Sequence, residues 1–306
     1  MKTTTATRNI HACRLVSCVL MFGLALPLAA VAGTPINKRT AADPAGLVEI
    51  SNTAGSVIVT GWGRNEVEVT GNLGKGTERL DFTKGDKVTR IKVVLPSRSN
   101  DVDDTDLIVK VPAGSTLSIN TVSADVAAQG VAGMQRLQSV SGNVRTEASG
   151  EDIECRTVSG DVEITGSARN GLVSITTVSG DVRASRLAGE VNGSTVSGDF
   201  TLGVGEITRS RLRSTSGDLA VTGQLAPDAR VDIESISGDV RLDLTGPLGA
   251  EFEVSSFNGE IRNCFGPKAV RTSEYAPGRE WRHREGTGTA RVRIKTLNGD
   301  VGVCRK

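Results

Sequence analysis

From about residue 116 onward, apolar and polar residues alternate in short runs, and each run leads into nearly the same hexapeptide. Segments such as 173-VSITTV-178 and 231-VDIESI-236 show the alternation, and a period of two residues is typical of a β-strand. The hexapeptide is complete in 157-TVSGDV-162 and 177-TVSGDV-182. Gly tolerates positive φ and Asp hydrogen-bonds nearby backbone, so Ser-Gly-Asp predicts a tight turn between two strands.

The hexapeptide recurs at nearly even intervals. The copies are 121-TVSADV-126, 139-SVSGNV-144, 157-TVSGDV-162, 177-TVSGDV-182, 195-TVSGDF-200, 214-STSGDL-219, 235-SISGDV-240, 256-SFNGEI-261 and 296-TLNGDV-301, with an outlying 53-TAGSV-57. Their third positions lie 18 to 21 residues apart, except for a last interval of 40. So short a unit cannot bury enough apolar surface to offset its own backbone entropy, so the units must stack. The sequence therefore predicts an all-β fold, a parallel β-solenoid with coils of about 18–21 residues.

Stacking places equivalent residues in columns. We expect one inward apolar column just after each Ser or Thr, formed by Val122, Val140, Val158, Val178, Val196, Ile236, Phe257 and Leu297. We expect a second inward column after each turn, formed by Val126, Val144, Val162, Val182, Phe200, Leu219, Val240, Ile261 and Val301. The Ser and Thr residues are predicted to be hydrogen-bonded at the bend. Outward Arg145, Glu163 and Arg183 alternate in sign, which favours adjacent strands.

The N-terminus has the pattern of a secretory signal. Lys2, Arg8 and Arg14 precede an apolar run that ends near Leu28, and small residues follow. We expect residues 1–32 to be cleaved and the mature chain to lack a transmembrane segment. The protein is therefore predicted to be exported, to the periplasm or the cell surface.

Three further boundaries follow from the repeat. Residues 33–115 contain strands of mixed length and are predicted to form an irregular N-terminal β region that caps the solenoid and leads into it. Residues 116–306 carry the solenoid repeats. The interval of 40 contains the charged segment 271–288, which is predicted to be an insertion, so that the coils with turns at 258 and 298 become neighbours.

The late cysteines occupy equivalent places in their repeats. Cys264 lies three residues after Ile261, and Cys304 lies three residues after Val301. Cα atoms in stacked parallel strands are about 5 Å apart, which a disulfide accepts. We predict a Cys264–Cys304 disulfide. Cys155 replaces an inward Ile and is predicted to be a buried, inert thiol.

Composition excludes some functions. The formal net charge is +1 over 306 residues, which gives no electrostatic case for nucleic-acid binding. Residues 33–306 contain one histidine, His283, and no GxSxG, P-loop or zinc-ligand spacing. We therefore expect no catalytic residues, no metal site and no cofactor.

Each turn carries one acidic position, which is the feature of the repeat that could bind a cation or take part in catalysis. It holds Asp125, Asp161, Asp181, Asp199, Asp218, Asp239, Glu260 and Asp300, with Asn143 in line. The favoured interpretation is a turn carboxylate that accepts backbone N–H groups. Two alternatives stay open: a calcium-binding solenoid, although the known GGxGxDxUx repeat is absent, or a carbohydrate-active enzyme that uses clustered acids on a β-helix.

The insertion is the candidate partner-binding loop. It carries Tyr275, Arg279, Trp281, Arg282, His283 and Arg284, and aromatic and Arg side chains are enriched at binding hot spots. The alternative is that Trp281 folds back to cover the flank of the solenoid.

The repeated TVSGDV, the upstream 59-VTGW-62 and the segment 110-KVPAGSTLSINTVS-123 resemble a bacterial β-strand-repeat family of adhesin-like proteins, the domain of unknown function DUF4097. The resemblance covers nearly all of the chain after residue 32. It implies an exported or envelope protein, and no residue roles carry over. We therefore expect a non-enzymatic envelope protein, an adhesin-like or scaffold module that presents a rigid surface to an unknown envelope protein or polysaccharide. The alternative is a polysaccharide lyase- or hydrolase-like enzyme.

Overall fold

The chain folds into stacked rungs of β-strand, and each rung turns a corner at one copy of the hexapeptide. A computed structural model describes residues 33–97, 102–167, 171–275 and 277–306, so the predicted signal at 1–32 lies outside the described residues. Over those ranges the chain forms strands and turns and no helix. Accordingly, no helix of the described ranges is long and apolar enough to cross a membrane. The predicted all-β parallel solenoid is confirmed.

In chain order the first strands are β1 (Thr34–Ala41), β2 (Leu47–Trp62), β3 (Glu66–Leu73), β4 (Arg79–Lys84), β5 (Val88–Val94), β6 (Thr105–Pro112), β7 (Thr116–Gln129), β8 (Gln135–Ser139), β9 (Val144–Ala148), β10 (Ile153–Thr157) and β11 (Val162–Gly166). The later strands are β12 (Val173–Thr176), β13 (Val182–Ser197), β14 (Phe200–Ser216), β15 (Leu219–Ser237), β16 (Val240–Thr245), β17 (Ala250–Asn258), β18 (Ile261–Asn263), β19 (Val270–Arg271), β20 (Arg279–Glu285), β21 (Ala290–Asn298) and β22 (Val301–Arg305).

Each rung has one strand before the turn and one after it, and both pair in register with the next rung. Before the turn, β10 lies between β8 and β12, with Cys155 opposite Leu137 and Ile175. After the turn, β11 lies between β9 and β13, with Val162 opposite Val144 and Val182. In-register pairing therefore holds on both faces of the rod.

The N-terminal region contributes the first rung and covers its outer edge. Strand β2 pairs in parallel with β7 on one side, which places Ala54 opposite Ser123. On its other side β2 pairs with β5 and then β6, both parallel. Antiparallel strands complete the edge, because β4 pairs with β5, β3 with β6, and β1 with β3. The outlying copy 53-TAGSV-57 is thus the turn of the first rung.

At the C-terminal end the rungs do not stack in chain order. Strand β21 pairs with β15 on one side and with β17 on the other, so Asn298 lies opposite both Ser237 and Asn258. After the turn, β22 likewise pairs with β16 and β18. The predicted contact between the coils at 258 and 298 is present. However, the last coil of the chain separates the coils at 237 and 258, which the repeat spacing alone places next to each other.

The second apolar column lies in the core, as predicted. Its members are at most 8% exposed, with Val182 at 0% and Ile261 at 8%. The prediction for the first column is wrong, because its members point outward. Their exposed fractions run from 41% for Val178 to 50% for Ile236.

The Ser and Thr before that column lie in the core, in the inward position that the alternation predicts. Thr177 is 2% exposed, and its hydroxyl accepts the N–H of Gly180 at 3.1 Å. The Thr157 hydroxyl donates to the carbonyl of Gly160 at 2.9 Å. A buried turn needs such partners for its backbone groups, and valine cannot supply them. Alternation therefore continues through the Ser or Thr, and its break falls one residue later, after the outward apolar residue.

Glycine is required in most turns by close contact between rungs, although Ala124 stands at this position in the copy at 121–126. A Cβ at Gly160 would lie 2.0 Å from the carbonyl oxygen of Gly142, and one at Gly180 would lie 2.0 Å from that of Gly160. The same overlap recurs at the C-terminal end, between Gly259 and Gly299 at 2.0 Å. The stacking distance itself therefore selects glycine here.

Replacing a turn glycine is expected to destabilise the rod. Gly180→Ala forces a methyl group against the backbone of the next rung, and we expect a loss of about 1–3 kcal/mol of unfolding free energy, measured by urea denaturation. Gly203→Ala is the control, because the nearest atom to its new Cβ is 3.8 Å away; it is expected to change stability by less than about 0.5 kcal/mol. Equal effects of the two variants would contradict the steric explanation.

Candidate functional site

The acidic residues of the turns form a continuous hydrogen-bonded ladder along the rod. The backbone N–H of the residue at this position donates to the Oδ1 atom of the equivalent residue in the rung before it. The bonds run from Asn143 N to Asp125, Asp161 N to Asn143, Asp181 N to Asp161, Asp199 N to Asp181, Asp218 N to Asp199, Asp239 N to Asp218, Asp300 N to Asp239, and Glu260 N to Asp300. Their lengths lie between 2.8 Å and 3.0 Å. The last two bonds follow the spatial order of the rungs and not the chain order.

This ladder supports the architectural interpretation of the acidic position. One oxygen of each carboxylate already accepts a backbone N–H, and Asn143 makes the same bond with an amide oxygen. A ladder that accepts an amide does not depend on charge. Within the described ranges no group of three or more His, Cys, Asp or Glu side chains is arranged to hold a metal ion.

The groups with clearly shifted pKa values are also explained by structure. Lys110 and then Arg39 hydrogen-bond to Glu68 and lower the pKa of its carboxyl. Hydrogen bonding from Arg136 is the main cause of the lowered pKa of Glu154. Burial raises the pKa of the Cys155 thiol to about 12, and Cys155 is 0% exposed. The two carboxyls are thus held ionised and the thiol is held protonated, as expected for the inert cysteine predicted from sequence.

Cys264 and Cys304 form a disulfide, with their Cα atoms 4.8 Å apart. Cys264 follows β18 and Cys304 lies in β22, and the N–H of Cys264 donates to the carbonyl of Val303 at 3.1 Å. The bond therefore ties the outermost rung, which contains β17 and β18, to the coil inserted beneath it.

The predicted insertion contains a strand that folds back on the solenoid. Strand β20 pairs antiparallel with the outer edge of β17, with Trp281 opposite Val254. Trp281 is 1% exposed and packs against Phe252 and Phe265 at centroid distances of 5.4 Å and 5.6 Å. Trp281 therefore covers the flank of the solenoid, which is the second of the two interpretations of the insertion.

The other insertion residues differ in exposure. Arg282 and Arg284 point outward, with side chains 70% and 67% exposed. The His283 side chain is mostly covered and lies 2.7 Å from Glu285. Arg279 is partly covered, and Tyr275 is 93% exposed beside it. A partner-binding role for these residues stays a prediction.

The outward apolar residues form a continuous surface feature that we call the apolar file. It consists of Val122, Val140, Val158, Val178, Val196, Ile236, Leu297 and Phe257 in spatial order, with Thr215 at the rung between Val196 and Ile236. Nine rungs spaced about 4.8 Å apart give it a length of about 38 Å. Isolated exposed apolar residues are ordinary, whereas a contiguous patch marks a candidate interaction surface.

A second surface feature lies on the strands before the turn, at the C-terminal end of the rod. A groove of about 920 Å³ crosses β13, β14, β15, β21, β17 and β20. Its lining includes Arg230, Arg291, Glu251 and the outward Arg282 and Arg284 of the insertion. The insertion thus forms one end of the groove while Trp281 is buried beneath it.

Residues 48–304 match the model of a family described as Toastrack DUF4097. The chain belongs to the Toastrack DUF4097 family. The match spans the solenoid from its first rung to Cys304. No curated protein matches the chain.

Several solved structures are similar to this Toastrack protein at low sequence identity. A "putative lipid binding protein" from Parabacteroides distasonis has a TM-score of 0.53 at 12% identity, covering 89% of this chain and 97% of the other. A "putative adhesin" from Bacteroides fragilis has a TM-score of 0.44 at 10% identity, covering 88% and 96%. Another from Parabacteroides merdae has a TM-score of 0.45 at 11% identity, covering 69% and 90%.

Sequence reasoning missed both surface features of this Toastrack protein. The apolar file was hidden by the expectation that its residues point inward, although unbroken alternation through the Ser or Thr was the available signal. The groove could not be found from the repeat, because its lining joins β15 to β21 and so depends on the rung order at the C-terminal end.

The hydrogen-bonded ladder predicts that Asp181 can be replaced by Asn but not by Ala. Asp181→Asn keeps an oxygen that accepts the N–H of Asp199, so we expect a change below about 0.5 kcal/mol. Asp181→Ala removes that acceptor and is expected to cost about 0.5–1.5 kcal/mol in urea unfolding. If Asn is as damaging as Ala, the negative charge and not the hydrogen bond is what matters.

The disulfide is expected to stabilise the C-terminal rungs. Cys264 and Cys304 are 40 residues apart, and closing a loop of that length restricts the unfolded chain by roughly 3–4 kcal/mol. The double variant Cys264→Ser/Cys304→Ser is expected to lose stability of that order in urea unfolding. Reductant should destabilise the unsubstituted protein and leave the double variant unchanged, and equal sensitivity of both would argue against the bond.

Proposed function

We propose that this protein is an exported, non-enzymatic envelope protein that binds a partner protein along the apolar file. One observation carries the proposal. Eight large apolar side chains stand outward at the same position of successive rungs, each between 41% and 50% exposed. Family membership and the disulfide, which persists outside a reducing cytoplasm, support the envelope location.

The file suits an extended partner. Its members are displayed at one corner of the rod by strands that pair on both sides, so the surface is formed before a partner arrives. Such preorganisation reduces the ordering cost of association.

The environments of the acidic residues in the ladder support the proposal that the protein is not an enzyme. A glycosidase needs two carboxyls in different environments, one protonated and one ionised. Here the acidic position repeats the same environment from rung to rung, and the ladder oxygens are engaged with backbone N–H groups. The repeated column therefore favours architecture over catalysis.

Photo-crosslinking tests the docking surface directly. The full chain is expressed in an exporting bacterial host with p-benzoylphenylalanine in place of Val140, and the envelope fraction is irradiated. We expect one dominant adduct with a partner protein. The double variant Val158→Thr/Val178→Thr removes two methyl groups from the file and is expected to reduce the adduct about tenfold.

The matched control is Ile58→Thr/Ile108→Thr, since both isoleucines are 44% exposed and lie outside the file. The control is expected to leave the adduct unchanged. Failure to form an adduct, or equal losses in the two double variants, would overturn the proposal. Export is checked by fractionation, where retention of residues 1–32 in the recovered protein would contradict the envelope location.

A further inference from the structure

Three arginines lie directly over one another on the strands before the turn. Arg209 on β14 pairs with Arg230 on β15, and Arg230 pairs with Arg291 on β21. We call this set the arginine file. Arg209 reaches Glu190 at 3.4 Å. Arg291 lies opposite Glu251 on its other side, but neither Arg291 nor Arg230 makes an ion pair or a side-chain hydrogen bond with a described residue.

Like charges on adjacent strands are unfavourable, and two charges at this spacing repel by about 1 kcal/mol even in water. Several other arginines face carboxylates across paired strands, in Arg136–Glu154, Arg145–Glu163, Arg213–Glu234 and Arg293–Glu253, at 2.8, 2.7, 3.2 and 3.0 Å. The acidic ladder also stacks like charges, but backbone N–H groups donate to its carboxylates. Stacked like charges without such partners are a signal of function.

The arginine file forms part of the lining of the 920 Å³ groove. Seven arginines and four carboxylates line the groove, a balance of 7 − 4 = +3, whereas the whole chain carries +1. The six strands that it crosses give it a length of about 24 Å. A groove of that length with cations at successive strands is suited to a polymer with repeated anionic groups.

We infer that this groove binds an acidic polysaccharide whose carboxylates pair with the arginine file. A guanidinium group binds a carboxylate through two parallel hydrogen bonds. The groove also exposes carboxylates, among them Glu251 and Glu253, and these accept hydrogen bonds from sugar hydroxyl groups. The mixture of cations and acceptors fits a chain that alternates acidic groups and hydroxyls.

Other polyanions fit this surface less well. Nucleic acid is favoured by a basic stripe, and the four carboxylates of the groove would repel its closely spaced phosphates. An anionic membrane presents phosphate groups, which the same four carboxylates would repel. The polysaccharide is therefore the ligand that the lining favours.

This inference rests on the proposed binding role in the envelope, but it uses a different surface from the apolar file. The proposal for the groove and the proposal for the apolar file can each fail without the other. A purified polymer reports on the groove alone, and the crosslinked protein adduct reports on the file alone.

The test measures binding of polygalacturonate to protein purified from the exporting host, by isothermal titration calorimetry at pH 7. We expect binding that weakens as salt increases, and no binding of neutral dextran. Arg230→Gln/Arg291→Gln is expected to weaken the Kd at least tenfold. Because this variant removes unpaired like charges, its Tm should be unchanged or raised, whereas a purely structural role for these arginines predicts a lower Tm.

The control is Arg64→Gln/Arg305→Gln, which removes the same charge from exposed positions outside the groove, and it should change the Kd less than twofold. Vesicles containing phosphatidylglycerol form a second arm. If both double variants weakened polygalacturonate binding equally, the attraction would be nonspecific and the inference would be overturned. The absence of polygalacturonate binding, or binding of the vesicles in preference to the polymer, would also overturn it.

Discussion

The structure depends on the contact between the backbones of successive turns. At most corners the glycine of one rung lies against a backbone carbonyl oxygen of its neighbour, closer than a Cβ atom would permit, as at Gly160 and Gly180. The remaining conserved features of the hexapeptide serve the same contact. The buried hydroxyl supplies hydrogen bonds to the turn, and the acidic residue joins its oxygen to the N–H of the next rung. A chain that keeps these three residues keeps its rungs in register.

Because the rungs stack in register, equivalent residues of successive rungs lie in a column along the rod. A side chain that points outward in one rung is repeated about 4.8 Å away in the next, so a small preference at one position becomes a long surface. The apolar file and the acidic ladder arise in this way from two positions of the same turn. The arginine file arises likewise from one position of the strands before the turn. Surfaces of this kind suit recognition of extended partners, and the apolar file and the groove are the two binding faces that we propose.

Strands that do not follow the repeat pattern cover the two ends of the solenoid. At the N-terminal end, antiparallel strands extend the edge beyond β5 and β6. At the C-terminal end, the antiparallel β20 covers β17, while the last coil of the chain lies inside the stack. Exposed strand edges promote aggregation, and β20 protects this end of the rod because it pairs with the outer edge of β17. The Cys264–Cys304 bond then fixes the outermost rung to that coil.

The sequence by itself determined the rung length, the solenoid class, the inward column after each turn and the equivalence of Cys264 and Cys304, because each follows from local alternation or from a fixed interval. Local reasoning failed at the residue after each Ser or Thr, since it placed both the Ser or Thr and the following apolar side chain inward. Only the tertiary structure showed that the alternation continues past the Ser or Thr and leaves the apolar side chain outside. It also decided that the coil at 298 lies between those at 237 and 258. That order is a long-range choice among similar rungs, and equivalent repeats carry no local signal that distinguishes one neighbour from another.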